Sequence, residues 1–151
     1  MPQSLAAVYV HIVFSTKGRT PILSTPSLRE EVHAFLGGIS GTMGCPPLLV
    51  GGTEDHIHLL GRQSRTVCLA DWVKELKTRS TAWIKTHDRA LSDFAWQQGY
   101  GAFSVSQSGI EDVRRYIRTQ EEHHKKTSFQ DELRTLLTEH EIEWDERYIW
   151  D

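Results

Sequence analysis

The sequence predicts an α+β domain of the ferredoxin-like or RRM-like kind, an antiparallel sheet of roughly four or five strands with helices packed on it. Three observations carry this. Short β-branched and aromatic segments alternate with longer amphipathic ones in the order β-α-β-β-α-β-α-α. Glycine, proline and serine clusters separate the segments at spacings that suit hairpins and crossovers rather than a bundle. The chain of 151 residues shows no internal repeat or linker, so residues 1–151 are expected to form a single domain.

The first strand is expected over Ala7–Ser15, where β-branched and aromatic residues dominate, and Lys17-Gly18-Arg19 and Pro21 then turn the chain outward. A helix follows near Ser27, whose hydroxyl is placed to cap it with Glu30 three residues on, and it runs through Val32, Phe35 and Leu36 toward Gly41 and Gly44. Pro46-Pro47 opens a second strand at Leu48–Val50. Gly51–Glu54 reads as a hairpin connection, and Asp55–Leu60 as the third strand. The longest helix is predicted over Thr66–His87: Leu69, Val73, Leu76 and Trp83-Ile84 recur at helical spacing, with Lys74, Thr78 and Lys85 opposite. Phe94–Ser106 has strand composition interrupted by Gly99 and Gly101, which suits a bulge. Helices are then expected over Ile110–His124 and Ser128–His140. The aromatic tail Ile142–Asp151 should pack on a neighbour.

Bulk properties exclude some classes. No apolar run reaches the roughly 18 residues needed to span a bilayer, and Met1-Pro2-Gln3-Ser4 lacks a signal peptide's basic flank, so the cytoplasm is the expected location. Cys45 and Cys68 lie far apart and outside any CxxC pattern, which fits free thiols in a reducing compartment. The formal charge is −3, against the basic footprint usual in a nucleic-acid binder, although the position of the cations decides binding. They cluster at Lys74–Arg89 and at Arg114–Lys126, where solvated helix faces are the alternative reading.

Two short patterns carry chemistry. In a strand, His56 and His58 project to one side while Ile57 points to the other. In a helix, Tyr116 and Gln120 are neighbours on the flank of a buried stripe formed by Ile110, Val113 and Ile117. Two imidazoles and an amide oxygen can hold a divalent cation, and a tyrosine beside a polarised phosphate can attack it. Taken singly, the histidines could be polar residues of a half-exposed sheet face, and Gln120 could satisfy its amide with an ordinary hydrogen bond. His123 falls near the tyrosine flank, where it could assist proton transfer or simply be a surface residue. The amide ligand and a phosphate substrate suit Mg²⁺ or Mn²⁺, bound weakly without DNA, rather than zinc. Lys17, Arg19, Lys74, Lys77 and Arg79 are the candidate DNA contacts. Phe103 could stack a base, with core packing as its other role.

The combination resembles the single-tyrosine HUH transposases, the small enzymes of minimal insertion sequences, and their relatives associated with repetitive extragenic palindromes. The resemblance runs through the opening strand ending His11–Lys17, Asp55–Leu60, Trp96–Ser106, Tyr116–His124 and the ending Asp145–Asp151. Gly18 departs from it, standing where relatives commonly carry a bulky aromatic residue. The resemblance implies that His56, His58 and Gln120 hold Mg²⁺ or Mn²⁺ against a phosphate of hairpin-bearing single-stranded DNA. Tyr116 would then attack, leaving a 5′-phosphotyrosine link and a free 3′-hydroxyl. It also implies a homodimer in which tyrosine helices can serve the other subunit's site, with Ser108-Gly109 as a hinge. No nucleotide cofactor is needed, and no phosphate-binding GxxxxGK[ST] loop occurs. Two other readings stand beside it: a catalytically silent, domesticated binder of DNA or RNA hairpins, and a metal-dependent hydrolase using water.

Overall fold

A computed structural model describes residues 2–150. Met1 and Asp151, the last residue of the terminal block quoted above, lie outside the described residues. The elements are β1 (Tyr9–Ser15), α1 (Pro26–Thr42), β2 (Pro47–Gly52), β3 (His56–Arg62), α2 (Leu69–His87), β4 (Gly101–Val105), α3 (Ile110–Arg118), α4 (Gln120–His124), α5 (Phe129–Glu139) and α6 (Glu146–Ile149). The strands form one antiparallel sheet in the order β2-β3-β1-β4, as the predicted fold class requires.

Strand alternation sorts the side chains of β1 and β3 between two layers. Val10, Ile12, Phe14, Ile57 and Leu59 face α1 and α2, where they meet Val32, Leu36, Trp72 and Leu76 in the main core. Two indoles in this layer are satisfied by helix serines: Trp72 Nε1 donates to Ser40 Oγ at 3.0 Å, and Trp96 Nε1 to Ser80 Oγ at 2.9 Å. The other face carries Val13 and Leu60, covered by Phe129 and Leu133 of α5 and by Ile110 and Ile117 of α3. Helices therefore cover both faces of the sheet, and the histidine face is a sealed layer.

Several boundaries differ from expectation for identifiable reasons. Helix α1 begins at Pro26 after Thr25 without a side-chain cap, so Ser27 is already inside it; proline suits a first helical turn, where its missing N–H costs nothing. Helix α2 starts only after Cys68, whose sulfur accepts from the Asp71 amide at 3.4 Å. The predicted strand over 94–106 contracts to β4. The chain before it touches the sheet through an isolated Thr16–Trp96 bridge, and the Lys77 ammonium donates to the carbonyls of Gln97 and Gly99 at 2.7 and 2.6 Å. The predicted helix over 110–124 breaks at Thr119, whose hydroxyl bonds back to the Arg115 carbonyl at 2.9 Å. The tail packs only in part: Ile149 and Trp150 lie on the Val13–Phe103–Phe129 cluster, with Trp150 flanked by the guanidiniums of Arg19 and Arg134, whereas Ile142, Trp144 and Tyr148 stay exposed.

Helix α3 lies directly on β2. A Cβ at Gly51 would come within 2.6 Å of Ile117 Cγ2, so the absence of a side chain there lets the helix approach the sheet. Gly51 is paired with His58, and this contact sets the tyrosine helix beside the histidine strand.

Candidate metal and nucleophile site

Strand β3 places His56 and His58 in the sealed layer, each with 0% exposure, opposite Ser15 and Val13 of β1. Gln120, at the start of α4, meets His56: its Oε1 lies 3.0 Å from His56 Nε2. Its amide nitrogen donates to Glu132 Oε2 at 2.9 Å and reaches the Tyr116 carbonyl at 3.4 Å, which orients the amide oxygen toward the imidazole. Tyr116 donates its hydroxyl to the same Glu132 oxygen. All four residues expected to form the site, His56, His58, Tyr116 and Gln120, thus come together within one chain.

The centre of the cluster is a residue the sequence reading passed over. Glu132 of α5 is 2% exposed, and its Oε1 lies 3.1 Å from His58 Nε2, 3.4 Å from His56 Nε2 and 3.1 Å from His124 Nε2. A signal existed: Phe129, Leu133, Leu136 and Leu137 form the buried stripe of α5, and Glu132 interrupts that stripe with an acid.

A surrounding layer fixes the imidazoles. Asp55 Oδ1 lies 2.7 Å from His56 Nδ1, with the Thr53 hydroxyl 2.9 Å from the same nitrogen. The Asp55 carboxylate draws a proton to Nδ1, so in the neutral ring the Nε2 lone pair faces Gln120 Oε1 and Glu132 Oε1. His58 Nδ1 is likewise engaged, 2.7 Å from His11 Nε2.

Four lone-pair donors turned toward one another fit a cation. An octahedral ion with bonds of about 2.1 Å separates adjacent ligand atoms by about 3.0 Å, against the 3.0, 3.1 and 3.4 Å found among the Gln120, His56, His58 and Glu132 donors. The atoms of His56, His58 and Glu132 lie close enough to hold one metal ion, and those of His123, His124 and the same Glu132 form a second such group.

Electrostatics separate the roles. Burial pushes His58 down to about 4 and His11 down to about 3, so both rings are neutral at pH 7. Burial would raise Glu132, but its hydrogen bonds to His124 and His58 and the histidine charges outweigh this and hold it ionised, far below the usual carboxylate range. Asp55 is held low too, the hydrogen bond and charge of His56 outweighing burial. Burial and then the Glu132 charge raise the Tyr116 phenol, leaving it protonated. For His124 burial acts downward, and the Glu132 hydrogen bond and charge prevail to raise it.

The candidate DNA contacts divide. Lys17 is exposed and Arg19 half-buried in the loop after β1; Arg19 lines a cleft of about 240 Å³ with Asp55, His124, Ser128 and Phe129, beside the cluster. Lys74, Lys77 and Arg79 stand on α2, which covers the other face of the sheet. There Lys74 is exposed, Lys77 ties down the 97–99 segment, and Arg79 pairs with Glu75 at 2.9 Å. Phe103 is 2% exposed and belongs to the core. Gly18 has a left-handed φ of 62°, followed by Arg19 at 56°, so the loop takes a turn that a bulky residue at 18 would strain.

A family model described as "Transposase IS200 like" matches residues 4–120. The chain belongs to that family. Among solved structures it is similar to a presumed transposase from Deinococcus radiodurans R1, at 21% identity with a TM-score of 0.64, covering 80% of this chain and 95% of that one. It is also similar to a REP-associated tyrosine transposase bound to a REP hairpin, at 12% identity with a TM-score of 0.52, covering 78% of this chain and 66% of that one. At these identities the likeness is one of fold. No curated protein sequence matches the chain.

Proposed function

We propose that this transposase cleaves and rejoins single-stranded DNA at hairpin-bearing ends through Tyr116. The observation that carries the reading is the meeting, in one buried cluster, of a tyrosine hydroxyl with two strand imidazoles and an amide oxygen. The Tyr116 oxygen forms a bond to phosphorus as the bond to the 3′-oxygen breaks; the phenol gives up a proton and the departing 3′-oxygen takes one up. The products are a 5′-phosphotyrosine and a free 3′-hydroxyl, and the reverse attack joins strands without a nucleotide cofactor. His56, His58 and Gln120 would hold Mg²⁺ or Mn²⁺, which when bound polarises a phosphoryl oxygen. Lys17 and Arg19 would receive the strand next to the cluster, while Lys74, Lys77 and Arg79 would meet it away from the cleavage point. Hairpin DNA as substrate is supported by the relative solved with a REP hairpin. A homodimer in a cytoplasmic setting is the assembly we propose, with the nucleophile serving its own chain's cluster.

The test incubates the protein with a labelled single-stranded hairpin oligonucleotide from the ends of its own element and Mn²⁺, followed by a denaturing gel. A covalent adduct with wild type and none with Tyr116→Phe is expected. Tight binding without an adduct would leave a silent hairpin binder, and cleavage that survives Tyr116→Phe would assign the attack to water.

A further inference from the structure

Glu132 asks for an explanation that the two-histidine, one-amide site does not supply. It is a carboxylate with 2% exposure whose partners are a phenol, an amide and imidazoles; among the described residues no lysine or arginine pairs with it. A buried anion without such a partner is costly unless a cation is present. Its two oxygens are divided in use. Oε1 faces His56 Nε2, His58 Nε2 and, at the rim of the cluster, His124 Nε2 at 3.4, 3.1 and 3.1 Å, while Oε2 accepts from the Tyr116 hydroxyl and the Gln120 amide, with His123 Nε2 3.5 Å away.

We infer that Glu132 is itself a ligand of the divalent cation, through Oε1, and at the same time the residue that positions the Tyr116 hydroxyl, through Oε2. The set His56, His58, Gln120 and Glu132 then carries a negative charge that two imidazoles and an amide lack. Such a set binds a hard cation before any phosphate arrives, which reverses the expectation of weak binding without DNA. One side chain also ties the cation to the nucleophile, because the carboxylate cannot leave its ligand position without releasing the phenol. The catalytic meaning of this rests on the strand-transfer reading; the ligand assignment does not.

The experiment titrates EDTA-treated protein with Mn²⁺ in the absence of DNA, following free ion by electron paramagnetic resonance. The proteins compared are wild type, Glu132→Gln, Glu132→Asp and Tyr116→Phe, with circular dichroism confirming each fold. Glu132→Gln keeps the shape and removes the charge, and it should weaken Mn²⁺ binding roughly 10–100-fold. Glu132→Asp should recover part of the loss, and Tyr116→Phe should bind Mn²⁺ like wild type while forming no hairpin adduct. Wild-type Mn²⁺ affinity in a folded Glu132→Gln would overturn the assignment. If that variant also formed adduct faster, Glu132 would be a plug standing where the phosphate must go. Charge-dependent Mn²⁺ binding in a wild type that forms no adduct would uphold the ligand and sink only the strand-transfer reading.

Discussion

His11 and His58 form a pair of neutral imidazoles within 2.7 Å, with rings stacked at 5.0 Å between centroids. One hydrogen is shared between the facing nitrogens, and a cation on His58 Nε2 requires that hydrogen on His58 Nδ1, with His11 Nε2 accepting it. His11→Phe keeps the apolar bulk and removes the acceptor. We expect Mn²⁺ affinity to fall about tenfold or more with little change in fold, read in the same titration; unchanged affinity would reduce His11 to packing against Phe103. The strand spacing exposes His56 and His58 to a reader of the sequence, and helical spacing exposes Tyr116 with Gln120. His11 stays hidden, and Glu132 shows only as an acid in an apolar stripe, because their roles arise only when β1 pairs with β3 and α5 folds across the sheet.

At the scale of elements, the tyrosine helix is held by close approach at Gly51. A valine there would meet Ile117 and push α3 off β2, at an overpacking cost of about 1–3 kcal/mol. Gly51→Val should therefore lower the denaturation midpoint and, at temperatures where the protein remains folded, cut adduct formation more than Mn²⁺ binding. Equal loss of both would mean that β3, not α3, had moved. Periodicity locates every main strand and helix but not their ends, since these depend on competing local bonds. One predicted helix splits at Thr119, where the backbone leaves helical values (φ −99°, ψ 18°), and the Lys77 ammonium fixes a segment that strand composition alone assigns to the sheet. The helical cover on the histidine face was likewise out of reach, being set by how Ile110, Ile117, Phe129 and Leu133 meet strands far away in sequence.

For the whole molecule, burial makes stability depend on pH. His11 is lowered to about 3, and His33 and His58 to about 4, burial being the leading cause in each; they stay neutral in the folded chain and gain protons in the unfolded one below about 6.5. The unfolded state then binds more protons, so stability falls as pH drops from about 6.5 toward 4, by about 1.4 kcal/mol per pH unit for each such histidine. Glu132 and Asp55, held low when folded, add to the loss only below about 4.5, and His124, raised by Glu132, acts in the opposite direction above about 6.5. Urea melts of metal-free protein across this range should show the slope, and His33→Gln, on α1 and outside the ligand set, should flatten it by one histidine's share. An unaltered slope would mean that His33 already titrates in the folded state.

The position of Glu132 also orders events in time. Synthesis delivers the histidine strand first, the tyrosine helix well after it, and the carboxylate that joins them last. A nascent or prematurely terminated chain ending before α5 holds a nucleophile with no anchor and a sheet face with no cover. On the strand-transfer reading proposed above, the power to break a DNA strand would be withheld until translation has passed the last of its parts.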